Sequence, residues 1–297
     1  MKREAILSTK PVTLTRSQRD HYFENGYLLV EDAVSEARLK VLREVLKELE
    51  EFSGSAETCP LEFEFEYPEG TKRKQLRQLL SAADFHPRLW AHASGPPITN
   101  LVADVIGPDV KFMQSNVVFK SPGGRGFPWH QDIALVPCSN LSPVMVFTYL
   151  QDVTSDMGPT RIVPGTHTHS LYDHYDDAGE WLGNIAAHDL ERLPTEMAVS
   201  AVAPAGTVLL LNCATVHCAG PNQTTRARPM VINGYLSADT RCYVDISTIF
   251  PSRYSWNIVF GNPTNVVHHE EGRMKMPPDW RAHRGVRIDN LLKRRLK

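Results

Sequence analysis

The chain contains no CxxC pair of cysteines. Its five cysteines, Cys59, Cys138, Cys213, Cys218 and Cys242, are scattered and odd in number. That argues against a thiolate zinc site and a disulfide framework, and predicts free, mostly buried thiols. Long apolar runs are absent too: none approaches the ~18–20 residues of a membrane span. The basic start, Met1-Lys2-Arg3, has no apolar signal core behind it. These absences predict a cytoplasmic protein with no membrane span. Neither sign of charge dominates: the net charge is -2 over 297 residues, so no overall field draws the chain to nucleic acid. Internal repeats and low-complexity linkers are also missing, which favours one domain spanning 1–297.

What is present is enough apolar material for a large core, 42% of residues. The first hundred residues read mainly as helical. Thr15-Arg16-Ser17-Gln18 fits a capping box, and Gly26 stops the short helix behind it. Tyr27-Leu28-Leu29-Val30 reads as a strand. Ser35 can cap a second helix in which Leu39, Leu42, Leu46 and Leu49 recur at helical spacing. A third helix is expected over 97–106, closed by Gly107-Pro108.

The pattern changes near Val110. Short β-rich runs follow at 112–119, 144–150, 161–163, 207–211 and 230–236, broken by Gly, Pro and Asn. Many short strands with punctuating turns predict a mainly β fold, a jelly roll with flanking helices. The expected layout is a helical layer over about 1–109, a β-rich core over about 110–240 and an extension over 241–297. Residues 170–200 interrupt the strands with an acidic stretch around His174. Such an insertion is either a lid or a solvated excursion.

The segment Phe127-Pro128-Trp129-His130-Gln131-Asp132 offers a His-x-Asp pair. On a strand, alternation would put both side chains on one face. With a distant second histidine they form a facial triad that leaves metal positions open, as in non-haem Fe(II) oxygenases. Spacing alone does not select this pair. Uniform composition gives roughly 1.4 His-x-acid pairs. Four occur: His130/Asp132, His174/Asp176, His268/Glu270 and His269/Glu271. Context separates them. His174 sits in the acidic loop with nothing to fix its direction, and His268 and His269 lie in a polar stretch, so all three are expected to be solvated. His130 follows a Gly-rich turn and precedes an apolar run.

His217 follows the apolar run Val208-Leu209-Leu210-Leu211 and is well placed to face a sheet interior. A lone histidine is by default a core or loop residue, and His167 and His169 compete for the same role. Arg228 comes eleven residues after His217. An always-charged fork of this kind suits the far carboxylate of a dicarboxylate cosubstrate.

Taken together, three segments resemble the phytanoyl-CoA dioxygenase family. They are His130-Gln131-Asp132, the run from Gly158 to His167, and His217-Cys218-Ala219-Gly220-Pro221-Asn222 through Arg228. The similarity extends from about Ser17 to Leu236. The resemblance implies a double-stranded β-helix (cupin-like) fold with Fe(II), 2-oxoglutarate and O2. It carries metal binding onto His130, Asp132 and His217, and the cosubstrate's far carboxylate onto Arg228. Lys120, Gln131 and Thr148 become supporting contacts, and His167 a structural turn residue. Cys218-Ala219 and Pro229 depart from the family's usual residues at those positions.

The resemblance further implies oxidation of a small organic substrate with release of succinate and CO2. A carboxylate ligand at Asp132 leaves no position for halide, which favours hydroxylation; desaturation, epimerisation and cyclisation use the same site. Two rivals stand beside this reading: a metal-dependent hydrolase on a similar barrel, and an inactive binding protein. Arg228 speaks against the first and the complete triad against the second. Phe63, Phe65 and Tyr67 alternate with glutamates, and with Tyr172, Tyr175 and Trp181 suggest an aromatic entrance, although packing is the simpler role for each. Six basic residues in 284–297 read as a solvated helix end.

Overall fold

The computed structural model describes residues 3–67 and 74–279. The basic run at 284–297 lies outside them. Twelve strands occur among the described residues. They are β1 (Tyr27–Val30), β2 (Phe63–Glu66), β3 (Gln75–Leu80), β4 (Val110–Val118), β5 (Phe127–His130) and β6 (Val144–Tyr149), followed by β7 (Thr160–Ile162), β8 (Val199–Ser200), β9 (Val208–Asn212), β10 (His217–Ala219), β11 (Met230–Ser237) and β12 (Ile258–Phe260). The larger sheet runs β1-β9-β6-β11-β4-β3-β2, with β12 also on β4. The smaller runs β5-β10-β7-β8. Every pairing is antiparallel. The two sheets enclose a cavity between them, the arrangement of a double-stranded β-helix.

The larger sheet is buried on both faces, which is why its central strands read as unbroken apolar runs. In β9, Val208 and Leu210 face a helical layer, while Leu209 and Leu211 face the space between the sheets. β6 divides in the same way, Val144 and Val146 outward, Met145 and Phe147 inward. The register of β4 against β11 shifts between Gly234 and Tyr235. The extra residue is Met113, and beyond this bulge Gln114 and Asn116 face the cavity.

The helical layer follows its periodicity and the caps at Thr15 and Gly26, whereas Ser35 holds the N-cap position of the next helix without a side-chain hydrogen bond. Helix α1 spans Arg3–Ser8 and α2 spans Arg16–Asn25. The Thr15 side chain accepts from the Gln18 amide in a capping box, and Gly26 ends α2 at φ 78°. In α3 (Glu36–Ser55), Leu39, Leu42, Val45, Leu46 and Leu49 are buried. Each full burial of such a side chain contributes roughly 1.5–3 kcal/mol. Helices α4 (Pro87–Ala93) and α5 (Ile98–Ile106) complete the layer over the outward face. All five cysteines are free. No described helix is long and apolar enough to cross a membrane.

The N-terminal third departs from the mainly helical expectation, since β2 and β3 extend the larger sheet. Their polar residues hide the strand signal because these polar side chains are themselves buried. Glu66 is 2% exposed and pairs with Arg77 at 3.0 Å, and Glu64 receives a hydrogen bond from Gln78. The aromatic entrance does not form. Phe63 packs between Phe52 and Phe85, Tyr67 is exposed, and Tyr172, Tyr175 and Trp181 line a separate cavity.

Candidate active site

The site begins with two short strands. β5 and β10 pair antiparallel, so that His130 lies opposite His217. Gly126 lets them approach: a Cβ there would lie 2.2 Å from the Ala219 carbonyl oxygen. After His130 the chain turns at Gln131 into the short helix α6 (Asp132–Leu135). The His-x-Asp pair therefore straddles a strand-to-helix turn, not one strand face as expected. The turn, in place of strand alternation, swings Asp132 back beside His130.

One atom from each of His130, Asp132 and His217 lies within 4.8 Å of the others. His130 Nε2 is 3.5 Å from one Asp132 oxygen, and His217 Nε2 is 3.8 Å from the other. No other cluster of this kind occurs among the described residues. Both imidazoles are oriented alike. His130 Nδ1 is 2.8 Å from the Pro128 carbonyl, and His217 Nδ1 is 3.0 Å from the Thr215 carbonyl. A carbonyl only accepts, so each Nδ1 carries the proton and each Nε2 presents a lone pair inward. Two neutral imidazole nitrogens and a carboxylate are a donor set suited to Fe(II).

The electrostatics favour the ligating forms of Asp132 and His217, while His130 is drawn toward the proton that a bound metal would displace. Burial would raise the Asp132 carboxyl, but the charges of His217 and His130 hold it below its ordinary value. Burial and the neighbouring His130 push His217 down to about 4. Burial also works against charge on His130, yet the hydrogen bond and charge of Asp132 leave it raised.

Gln131 is fully buried but does not face the cavity, contrary to its expected role as a cosubstrate contact. Its Nε2 donates to the Ala214 carbonyl at 2.5 Å, and its Oε1 accepts from the Tyr172 amide at 2.9 Å. The side chain ties the ligand turn to the insertion. His174 is the second correction. It is 4% exposed, and its Nε2 accepts from the Gln131 amide at 3.2 Å. Its Nδ1 faces the Tyr172 carbonyl and its ring stacks on Trp181. The acidic loop thus fixes His174 behind the ligand turn. His167 caps its turn against the Phe23 carbonyl at 3.1 Å and stays outside the triad.

The cavity beside the triad holds about 140 Å³. Arg228 lines it and is 3% exposed. Its amide and the Asn222 side chain both donate to the Lys120 carbonyl, and its Nε donates to the Met157 carbonyl at 3.2 Å. No carboxylate pairs with it among the described residues. Burial pulls its pKa down to about 10. A buried guanidinium without an anion is costly, and a cosubstrate carboxylate would relieve that cost.

Lys120 lies beside Arg228, but its ammonium is turned to the Gly158 and Gly220 carbonyls. Burial, then Arg228 and Arg77, lower it to about 6. Thr148 corrects a third expectation. It occupies the outward face of β6, where its hydroxyl meets His92 Nε2 at 2.9 Å under the helical layer. Strand alternation brings Met145 and Phe147 to the cavity instead. The sequence reading missed Gln78, Gln114, Asn116, Thr160 and Phe250, which all line the cavity. Polar residues at alternate positions of an apolar strand were the available signal for Gln114 and Asn116. Phe250 gave none.

The chain matches the profile "Phytanoyl-CoA dioxygenase (PhyH)" over residues 22–230. It belongs to that family. A probable alpha-ketoglutarate-dependent hypophosphite dioxygenase of Stutzerimonas stutzeri is 27% identical over 225 residues, 75% of this chain and 78% of the relative. The solved EctD of S. alaskensis with 2-oxoglutarate and 5-hydroxyectoine is 18% identical, with a TM-score of 0.68, covering 89% of this chain and 90% of that one. The non-haem carbocyclase SnoK from nogalamycin biosynthesis is 23% identical, with a TM-score of 0.63, covering 79% and 89%. This PhyH-family member is an oxidoreductase, an Fe(II)- and 2-oxoglutarate-dependent dioxygenase.

Proposed function

We propose that His130, Asp132 and His217 hold the iron, that Arg228 grips the far carboxylate of 2-oxoglutarate, and that the enzyme hydroxylates a small organic metabolite. The observation that carries this reading is the unpaired, buried Arg228 in the same cavity as the triad. Thr160 lines that cavity as well and offers a hydroxyl to the cosubstrate.

The chain's own work is positioning and exclusion. The Pro128 and Thr215 carbonyls hold both imidazoles in the ligating tautomer. Asp132 stays ionised and brings negative charge to the metal. Met145, Phe147 and Met230 keep the walls apolar, which limits bulk water around the reacting atoms. When bound, iron, 2-oxoglutarate and O2 supply the oxidation, with succinate and CO2 released. Arg228 orients the cosubstrate so that its other end reaches the triad. We further read 1–297 as a single oxygenase domain working in the cytoplasm on a small molecule, without nucleic acid.

Hydroxylation is favoured by the carboxylate ligand, which leaves no position for halide. Aerobic incubation with Fe(II) and labelled 2-oxoglutarate across a metabolite panel tests the proposal. Substrate-stimulated succinate with one oxygen atom added to the product is expected. A product lacking that oxygen, with two hydrogens fewer or an inverted centre, would replace hydroxylation by desaturation or epimerisation.

A further inference from the structure

A second, wider cavity adjoins the first. It measures about 710 Å³, against about 140 Å³ for the cavity beside the triad. Its walls include Glu62, Ser81, Asp84, Ser247, Ser252 and Arg253. Two pairs of residues form the partition. Asn116 lines the inner cavity and accepts from the Ser81 amide at 3.4 Å, while Ser81 lines the outer one. Phe250 lines the inner cavity, and the next residue, Pro251, lines the outer.

The outer cavity carries polar atoms that the fold does not use. Ser81 is 1% exposed, yet its hydroxyl has no hydrogen-bond partner. Its backbone sits at φ 53°, a region that non-glycine residues rarely adopt. Asp84 uses one oxygen on Arg253 Nε at 2.8 Å, while its other oxygen is buried and unpartnered. The Arg253 fork is also committed to the Asp84 carbonyl at 2.6 Å. Glu62 adds a second carboxylate to the wall. Two carboxylates against one engaged guanidinium leave a net negative wall with acceptors to spare. A buried polar group left unpaired costs free energy that a bound donor recovers.

The inner cavity complements this. Once Arg228 is taken by the cosubstrate, no Lys or Arg remains on its wall among the described residues. A second anionic group would find no further basic side chain there.

We propose that the outer cavity is a substrate subsite that takes an ammonium group. The substrate is then an amine, anchored by Ser81 and Asp84, with its oxidisable carbon reaching past Phe250 to the triad. An ammonium brings three donors and one positive charge, matching two free acceptors and a net negative wall. This rests on the reading of the inner cavity as the iron and 2-oxoglutarate site.

The test compares n-alkylamines with the matching n-alkanoates. Binding to the metal-free protein is read by calorimetry, and stimulation of succinate formation is read in the loaded enzyme. Amines are expected to bind and stimulate, and alkanoates to do neither. Asp84→Asn should weaken amine binding at least tenfold. Ser81→Ala should weaken it too while the free protein melts no lower than wild type, because the lost hydroxyl had no partner; this variant guards against misfolding of the first. Alkanoates binding as well as amines, or both variants binding amines like wild type, would overturn the subsite. Uncoupled consumption of 2-oxoglutarate by the wild type reads the inner cavity separately. Its absence would count against the catalytic reading, while its presence without amine selectivity would count against the subsite alone.

Discussion

His217 stands directly across the β5–β10 pair from His130, with ring centroids 4.1 Å apart and ring planes at 50°. Two residues 87 positions apart in the chain are thus set against each other by strand register. The ligand geometry inherits the precision of that pairing, and the pairing depends on Gly126.

Gly126→Ala should therefore damage the site without touching a ligand. The new methyl carbon would fall 2.2 Å from the Ala219 carbonyl oxygen, so the strands must part. A loss of about 1–3 kcal/mol in unfolding free energy is expected, together with weaker iron binding. Denaturant unfolding and iron titration check both. Unchanged stability and iron affinity would mean that the strands pack more loosely than described.

His174 should behave as a positioning residue. It accepts from the amide between two triad members but has no ligand atom in the cluster. His174→Ala is expected to lower iron affinity about 10–100-fold while the protein stays folded. His174→Gln, which can still accept from that amide, should recover part of the loss. Equal iron affinity in all three proteins would remove His174 from the account.

Stability of the metal-free protein should fall in acid. Burial and the nearby Arg38 hold His92 down to about 3, against an ordinary value of 6.5. The folded state then binds fewer protons than the unfolded one between those values. The stabilisation is complete above about pH 6.5 and is lost as pH falls, at about 1.4 kcal/mol per unit from this residue. His174, lowered to about 4 by burial, acts in the same direction. Unfolding free energies at pH 7 and pH 5 should therefore differ less in His92→Gln than in wild type. Parallel slopes would contradict the buried, neutral state of His92.

The layout of the chain was largely legible. Caps at Thr15 and Gly26, the leucine period of α3 and the apolar runs of β6, β9 and β11 each state a local rule that the fold obeys. The triad was legible only as residues in context. The turn at Gln131 and the register of His130 with His217 come from long-range pairing, which no local window contains. For the same reason β3 was missed: its buried Arg77 and Gln78 find partners on β2 that a local reading does not supply. Thr148 and Gln131 were misassigned because which face a residue presents depends on strand phase and on the turn, not on its proximity to a motif. His174 looked solvated because its partners, Gln131 and Trp181, are brought to it by folding of the insertion.

The account stands or falls on two separable functions, iron at the triad and 2-oxoglutarate at Arg228. Anaerobic titration with Fe(II) and then 2-oxoglutarate, followed by the absorption of the ternary complex, measures both in wild type, His217→Ala and Arg228→Gln. Wild type should bind both. His217→Ala should lose iron, and Arg228→Gln should keep iron but bind 2-oxoglutarate about 10–100-fold more weakly, the scale of a lost charge-assisted fork. Iron binding in His217→Ala equal to wild type, or unchanged 2-oxoglutarate affinity in Arg228→Gln, would contradict it.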